Sequence, residues 1–248
     1  MQPLDGIRVV SIALNVPGPL VAAKVRAAGG HVTKVEPPGG DPLEGFCPAW
    51  YHDLHSGITI RRIDLKSDAG QAEMPAILAD ADLFLSSQRP AALARLRLDA
   101  ASLPPHLRSL NIVGEIGHAD IAGHDLTYLA KAGLLGREVP RTLIADVLGA
   151  EHAFAAALLL LREPEGARAE VGLYDSLAPL VAPLQYGLTG PGTLLGGALP
   201  AYGIYETREG RIAVAALEPH FQKRLYEELK VPPGSALAMS FRAQTAQE

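Results

Sequence analysis

Short β-branched apolar runs alternate with helix-forming segments along the first three quarters of the chain. Residues 7–13 (IRVVSIA) form the uninterrupted run that a strand buried on both faces requires. The turn-rich stretch NVPGPL follows, then a helical segment over 20–28 that stops at Gly29-Gly30. A second strand over 31–36 (HVTKVE) is closed by PPGGDP. Strand, helix and strand in about 30 residues predict a βαβ unit with a right-handed crossover, and so a parallel sheet.

The same alternation continues. Strands are predicted at 58–64, 82–87, 109–114 and 168–173, and helices at 68–80, 125–134 and 145–162. The last of these is rich in Ala and Leu, good helix formers. Residues 174–188 read as a helix broken near Pro183. After a Gly/Pro-rich stretch the period changes to two, and 201–217 predict a hairpin turning at Glu209-Gly210. The fold class is α/β, with a large domain over 1–188, a smaller lobe over 189–230 and a pattern-poor tail, partly disordered, over 231–248. No internal repeat is present.

Composition narrows the setting. Of 248 residues, 48% are hydrophobic and 20% charged, as in globular domains. The net charge of −5 argues against a nucleic-acid surface, which shows as a basic stripe. Cys47 is the one cysteine, so no internal disulfide forms, in keeping with a reducing cytoplasm. MQPLDGIRVV lacks the pattern of a signal peptide, and the apolar stretch 154–161 is far too short to span a bilayer.

Five places could carry chemistry. Asn15 and Val16 lie in the turn after the first strand, where backbone N–H groups can bind phosphate, although no GxGxxG or Walker pattern is present. In GHDLTYLA, Asp125 reads as the N-cap of the helix that follows, and Tyr128 shares a face with His124 one turn away. Asp146 opens an apolar helix, where it is either a cap or a partly buried carboxylate tuned for proton transfer or nucleophilic attack. Glu218 ends a strand before Pro219, a weak signal alone, and His220 beside it reads as solvated. Lys66 and Arg89 follow strand-like runs, where open α/β sheets bind ligands; solvation is the alternative for each.

Eight segments, in order, resemble the family III CoA-transferases (the CaiB/BaiF family, which includes α-methylacyl-CoA racemases). They are LDGIRVVSIALNVPGPL, KVEPPGGDP, IDLKSDAG, ADLFLSSQRPAALARL, GHDLTYLAKAGLL, ADVLGAEHAFAAALLLL, AEVGLYDSL and YGIYETREGRIAVAALEPHF, spread over residues 3–229. The resemblance implies a Rossmann-like large domain that binds CoA and a smaller α+β lobe. It also implies a homodimer whose site lies between lobes of two subunits, interlocked only where a C-terminal segment returns to the large domain. Relatives continue past the position of Glu248, and FRAQTAQE reads as the opening of that return. Pro38 stands where many relatives carry a basic residue near the CoA phosphates, and 109–123 is shorter than usual.

Residue by residue, the resemblance places Asp146 on the catalytic aspartate and His124 on its acid/base partner in racemases. Glu218 falls on the glutamate beside that histidine, and Asp125 supports the pair. Coenzyme A enters as part of an acyl-CoA substrate, with no metal and no tightly bound cofactor. Racemisation needs two groups of intermediate pKa on opposite faces of the α-carbon, and N–H groups at the start of the Asp146 helix could hold the enolate. The alternatives are CoA transfer through an Asp146 acyl anhydride and a non-catalytic acyl-CoA-binding homologue.

Overall fold

The computed structural model of the chain describes residues 2–245 and divides into two compact units after Ala178. In the first unit, β1 (Arg8–Ser11), β2 (His31–Glu36), β3 (Thr59–Arg62), β4 (Leu83–Ser86), β5 (Arg108–Val113) and β6 (Arg168–Gly172) form one sheet. All its neighbours pair in parallel, in the order β3-β2-β1-β4-β5-β6. Val9 of β1 lies opposite Val32 on one side and Leu83 on the other. The strand order therefore reverses direction between β1 and β4.

Alternate strand residues feed two cores, as the pleat requires. Val9, Leu83, Leu85, Leu110 and Ile112 pack on α1 (Pro17–Ala27) and on the later helix over 144–160. On the opposite face, Val10, Val35, Ile63 and Phe84 pack with Met74, Leu78 and Leu93. The chain order of the remaining first-unit helices is α2 (Pro42–Phe46), α3 (Pro48–Leu54), α4 (Asp68–Leu78), α5 (Pro90–Leu96), α6 (Asp125–Lys131) and α7 (Ile144–Leu160). Small residues let α7 approach the sheet: Ala150, Ala153 and Ala157 are fully buried, and a Cβ on Gly149 would meet Leu173 Cδ2 at 2.3 Å.

The predicted strands all form within a few residues of their expected bounds. The helix expected from residue 20 begins instead at Pro17, because proline needs no partner for an N–H in the first turn and its φ already suits a helix. Helices α2, α3 and α5 were not expected from the apolar pattern; each is short and starts on a proline.

From the boundary into the second unit, α8 (Ala178–Gln185) runs through Pro183, where a break was expected, and ends two residues later. β7 (Tyr202–Thr207) and β8 (Gly210–Ala215) form the hairpin; its two-residue turn is Arg208-Glu209, with Gly210 at φ 124°. α9 (Pro219–Glu228) and α10 (Ala238–Arg242) complete the unit. The tail is more ordered than its sequence pattern suggests, since Leu237 and Phe241 join Tyr226 in a small core. The last three residues of FRAQTAQE lie outside the described residues. Among the described residues, no helix is long and apolar enough to cross a membrane.

The approach of α1 to the end of β1 yields a stability test. A Cβ on Gly18 would lie 2.1 Å from Ala13 Cβ, whereas one on Gly45 meets nothing within 4 Å. Gly18→Ala should lower the free energy of urea unfolding by about 1–3 kcal/mol, the range for overpacking. Gly45→Ala should be neutral or slightly stabilising.

Candidate active site

Helices that follow β1 and β4 leave the sheet in different directions, so the loops at these strand ends part and open a crevice. It holds a cavity of about 320 Å³, lined by Asn15 and Val16 after β1, by Ser87, Gln88 and Arg89 after β4, and by Gly114 after β5. His124, Tyr128 and Asp146 also line it, with apolar residues such as Leu43 and Phe46. A hydrogen bond from the Leu14 N–H to Ser87 Oγ (3.1 Å) ties the first two loops together.

Asp146 occupies the third position of α7, whose N-cap is Leu143, so the aspartate does not cap its helix. It is half-buried, and its carboxyl is pushed up to about 6. Burial contributes most, the Asp125 carboxylate adds to it, and His124 pulls the other way. Asp125 is buried, and its Oδ1 accepts the Asp146 N–H at 3.0 Å. Here the sequence expectation needs correction: His124, with φ −142° and ψ 165°, is the N-cap of α6, and Asp125 instead caps α7. The start of α6 closes through Thr127, whose Oγ1 accepts the His124 N–H (2.9 Å) and donates to the His124 carbonyl (2.8 Å).

A second correction concerns the enolate donors. The Asp146 N–H is taken by Asp125, and the Val147 N–H by the Leu143 carbonyl. These two groups at the helix start are already partnered.

Tyr128 is buried beneath His124 and Asp146, and burial raises its phenol, with the Asp146 charge adding to the effect. Glycines make room for the ring: a Cβ on Gly114 or Gly123 would lie 2.3 or 2.5 Å from Tyr128 atoms. The Gly of GHD is thus explained by packing, and Gly114 carries no sequence signal of its own. Arg89 is exposed at the N-cap of α5 and Asn15 is exposed in the loop, both at the pocket wall. Lys66 lies elsewhere, in a neighbouring cleft with Leu14 and Gln88. Glu218 belongs to the second unit, where it is exposed at the N-cap of α9.

One buried cluster close to the pocket escaped sequence reading. Lys34 Nζ, with no solvent exposure, lies 2.5 Å from Asp41 Oδ2, 2.7 Å from His55 Nε2 and 3.1 Å from Glu36 Oε1. Tyr51 donates to Glu36 Oε1 at 2.9 Å. His55 Nδ1 lies 2.6 Å from the Tyr51 carbonyl and must donate to it, leaving Nε2 to accept from Lys34. Burial and the lysine charge hold His55 below the usual histidine range, consistent with that neutral form. Glu36, Asp41 and His55 have potential metal-ligand atoms within 4.8 Å of one another, and Lys34 contacts all three. The usable signal was charge at i and i+2 within a strand whose neighbours are apolar.

The electrostatics of Asp146 set its pH behaviour. A carboxyl raised in the folded state binds its proton more tightly there than in the unfolded chain, so stability falls as pH rises from about 4 to about 6. Asp146→Asn should therefore stabilise the protein increasingly over that window, by about 1–2 kcal/mol at pH 7 after allowance for partial exposure, as read by urea unfolding. Asp125→Asn should lower the Asp146 midpoint in a carboxyl-carbon NMR titration while leaving it above 3.8, because burial remains.

Comparison with known proteins identifies relatives of the chain. The chain is 28% identical to succinyl-CoA–D-citramalate CoA-transferase of Chloroflexus aurantiacus, over 84% of this chain and 60% of that protein. It is also 28% identical to human alpha-methylacyl-CoA racemase, over 91% of this chain and 64% of that protein. The chain thus spans about three fifths of the length of these two relatives. The crystal structure of the hypothetical protein Rv3272 from Mycobacterium tuberculosis has the same fold, with a TM-score of 0.85 at 22% identity, over 99% of this chain and 80% of that one. The sequence pattern of CoA-transferase family III matches residues 4–247, and the chain belongs to that family.

Proposed function

We propose that the crevice binds an acyl-CoA thioester and that Asp146 and His124 exchange a proton at its α-carbon. The observation that carries this reading is a half-buried carboxyl, raised to about 6, in the same pocket as an exposed histidine. At neutral pH such a carboxylate is largely ionised, yet more basic than an ordinary aspartate. That suits removal of a proton acidified by the thioester carbonyl. His124 returns a proton to the other face of the enolate, which inverts the centre. Asn15, Val16, Arg89 and Tyr128 hold the substrate, Asp125 supports Asp146, and coenzyme A is part of the substrate rather than a resident group. The role of Glu218 rests on family resemblance alone.

A second reading is favoured by the relative named as a CoA-transferase. There Asp146 attacks the thioester carbonyl, coenzyme A leaves as its thiolate, and an aspartyl acyl anhydride forms. The thiolate then attacks the aspartyl carbonyl, releasing the carboxylic acid and leaving CoA on Asp146 for an acceptor. An ionised, desolvated aspartate serves this chemistry equally well.

Incubation with a 2-methylacyl-CoA in deuterated water, with and without an acceptor carboxylate, separates the readings by mass. Deuterium at the α-carbon without acceptor supports proton exchange, and a new CoA ester formed only with acceptor supports transfer. Neither product, from a thioester that binds, would make this chain a binding homologue and sink both. Asp146→Ala should reduce either activity to background. His124→Ala should slow α-exchange by about 10²–10⁴-fold while sparing transfer.

A further inference from the structure

The pocket wall after β1 depends on a charge that does not line it. Asn15 adopts a left-handed φ of 66°, a conformation that a non-glycine residue keeps only when its surroundings hold it. The hold comes from Asp41, whose Oδ1 accepts the Asn15 N–H at 2.9 Å and the Leu43 N–H at 3.0 Å. Asp41 is itself buried, and its other oxygen is fixed by Lys34 Nζ. The lysine is oriented in turn by Glu36 and His55. A fully buried ammonium with three partners is a demanding arrangement for the mere capping of a five-residue helix, a task the Leu43 bond performs alone.

We propose that Lys34 and Asp41 are positioning residues that lock the loop 14–17 in its ligand-binding conformation, so that affinity for coenzyme A depends on them. The proposal rests on the thioester reading of the pocket. Lys34 and Asp41 lie outside the cavity lining, so they act through Asn15 rather than on the ligand. Within the cluster the lysine supplies the cation to which the two carboxylates and the neutral histidine point, and Glu36 Oε2 is left without a hydrogen bond, 3.7 Å from Arg62 Nε.

The test is calorimetric titration of free coenzyme A into the full chain, paired with hydrogen exchange of the peptide over 12–20. Asp41→Ser keeps a short acceptor for the Leu43 N–H but cannot reach both Asn15 and Lys34. It should bind coenzyme A about tenfold more weakly and exchange at residues 14–16 about tenfold faster, with exchange elsewhere unchanged. Asp41→Asn retains one acceptor and should fall between Asp41→Ser and the unaltered protein, and it carries the test if the serine variant fails to fold. Unchanged exchange in the loop, unchanged affinity, or acceleration spread evenly over β2 and α3 would each overturn the proposal. If the unaltered chain fails to bind coenzyme A, the thioester reading falls, and the exchange data still decide whether Asp41 holds the loop.

Discussion

The reversal of strand order between β1 and β4 is the constraint on which the rest of the first unit depends. Right-handed crossovers place α1 on one face of the sheet and α4 and α5 on the other, because the chain runs outward to β3 and then crosses back to β4; α7 returns to the face of α1. At that jump the strand-end loops have no neighbour to close against. The sheet creates a crevice by topology alone, before any functional side chain is chosen. The Leu14–Ser87 hydrogen bond sets how far the loops part, and the helices α6 and α7 then supply the far wall.

Within that crevice, burial raises one acid and a second acid adds to the effect. Asp125 satisfies an amide at the start of α7 and also places its charge near Asp146. A neutral cap would have met the first need without the second. By using a carboxylate, the fold links the anchoring of α7 to the acidity of the residue it presents. The two helices are adjacent in sequence, but the bond spans 21 residues, so neither helix alone defines the chemistry at its end.

Much of this was legible in the sequence because the signals were local. All six predicted strands form; β1 and β4 at the centre are buried apolar runs, whereas the edge strands β3 and β6 carry charged, partly exposed residues. Asp146, His124, Tyr128, Arg89 and Asn15 share one pocket, as their positions after strands or at helix starts suggested. What escaped was relational. Asp125 caps a helix other than its own, which no local pattern encodes. Lys66 follows a strand as Arg89 does, but β3 lies at the sheet edge, two strands from the reversal. The Lys34 cluster required partners from β2, the Asp41 turn and α3, each unremarkable alone. Short helices such as α2 and α5 lack enough turns to show a period, so only their prolines marked them.

Those prolines have a further consequence. Pro17 and Pro19 lie in the first turn of α1, and Pro90 opens α5, the two helices whose starts flank the crevice. A proline ring fixes its own φ near −65° and restricts the residue before it. Arg89 is therefore held by Pro90 in the extended backbone it adopts (φ −62°, ψ 148°), and Pro17 and Pro19 fix their own φ beside Val16 and Gly18, while the pocket is still empty. A ligand entering there meets backbone that has already surrendered its conformational freedom, so little of the binding energy is diverted into ordering the site. For a long, flexible molecule such as the proposed coenzyme thioester, which must itself be ordered on binding, a rigid receiving wall is the half of the entropy problem that the protein can solve in advance.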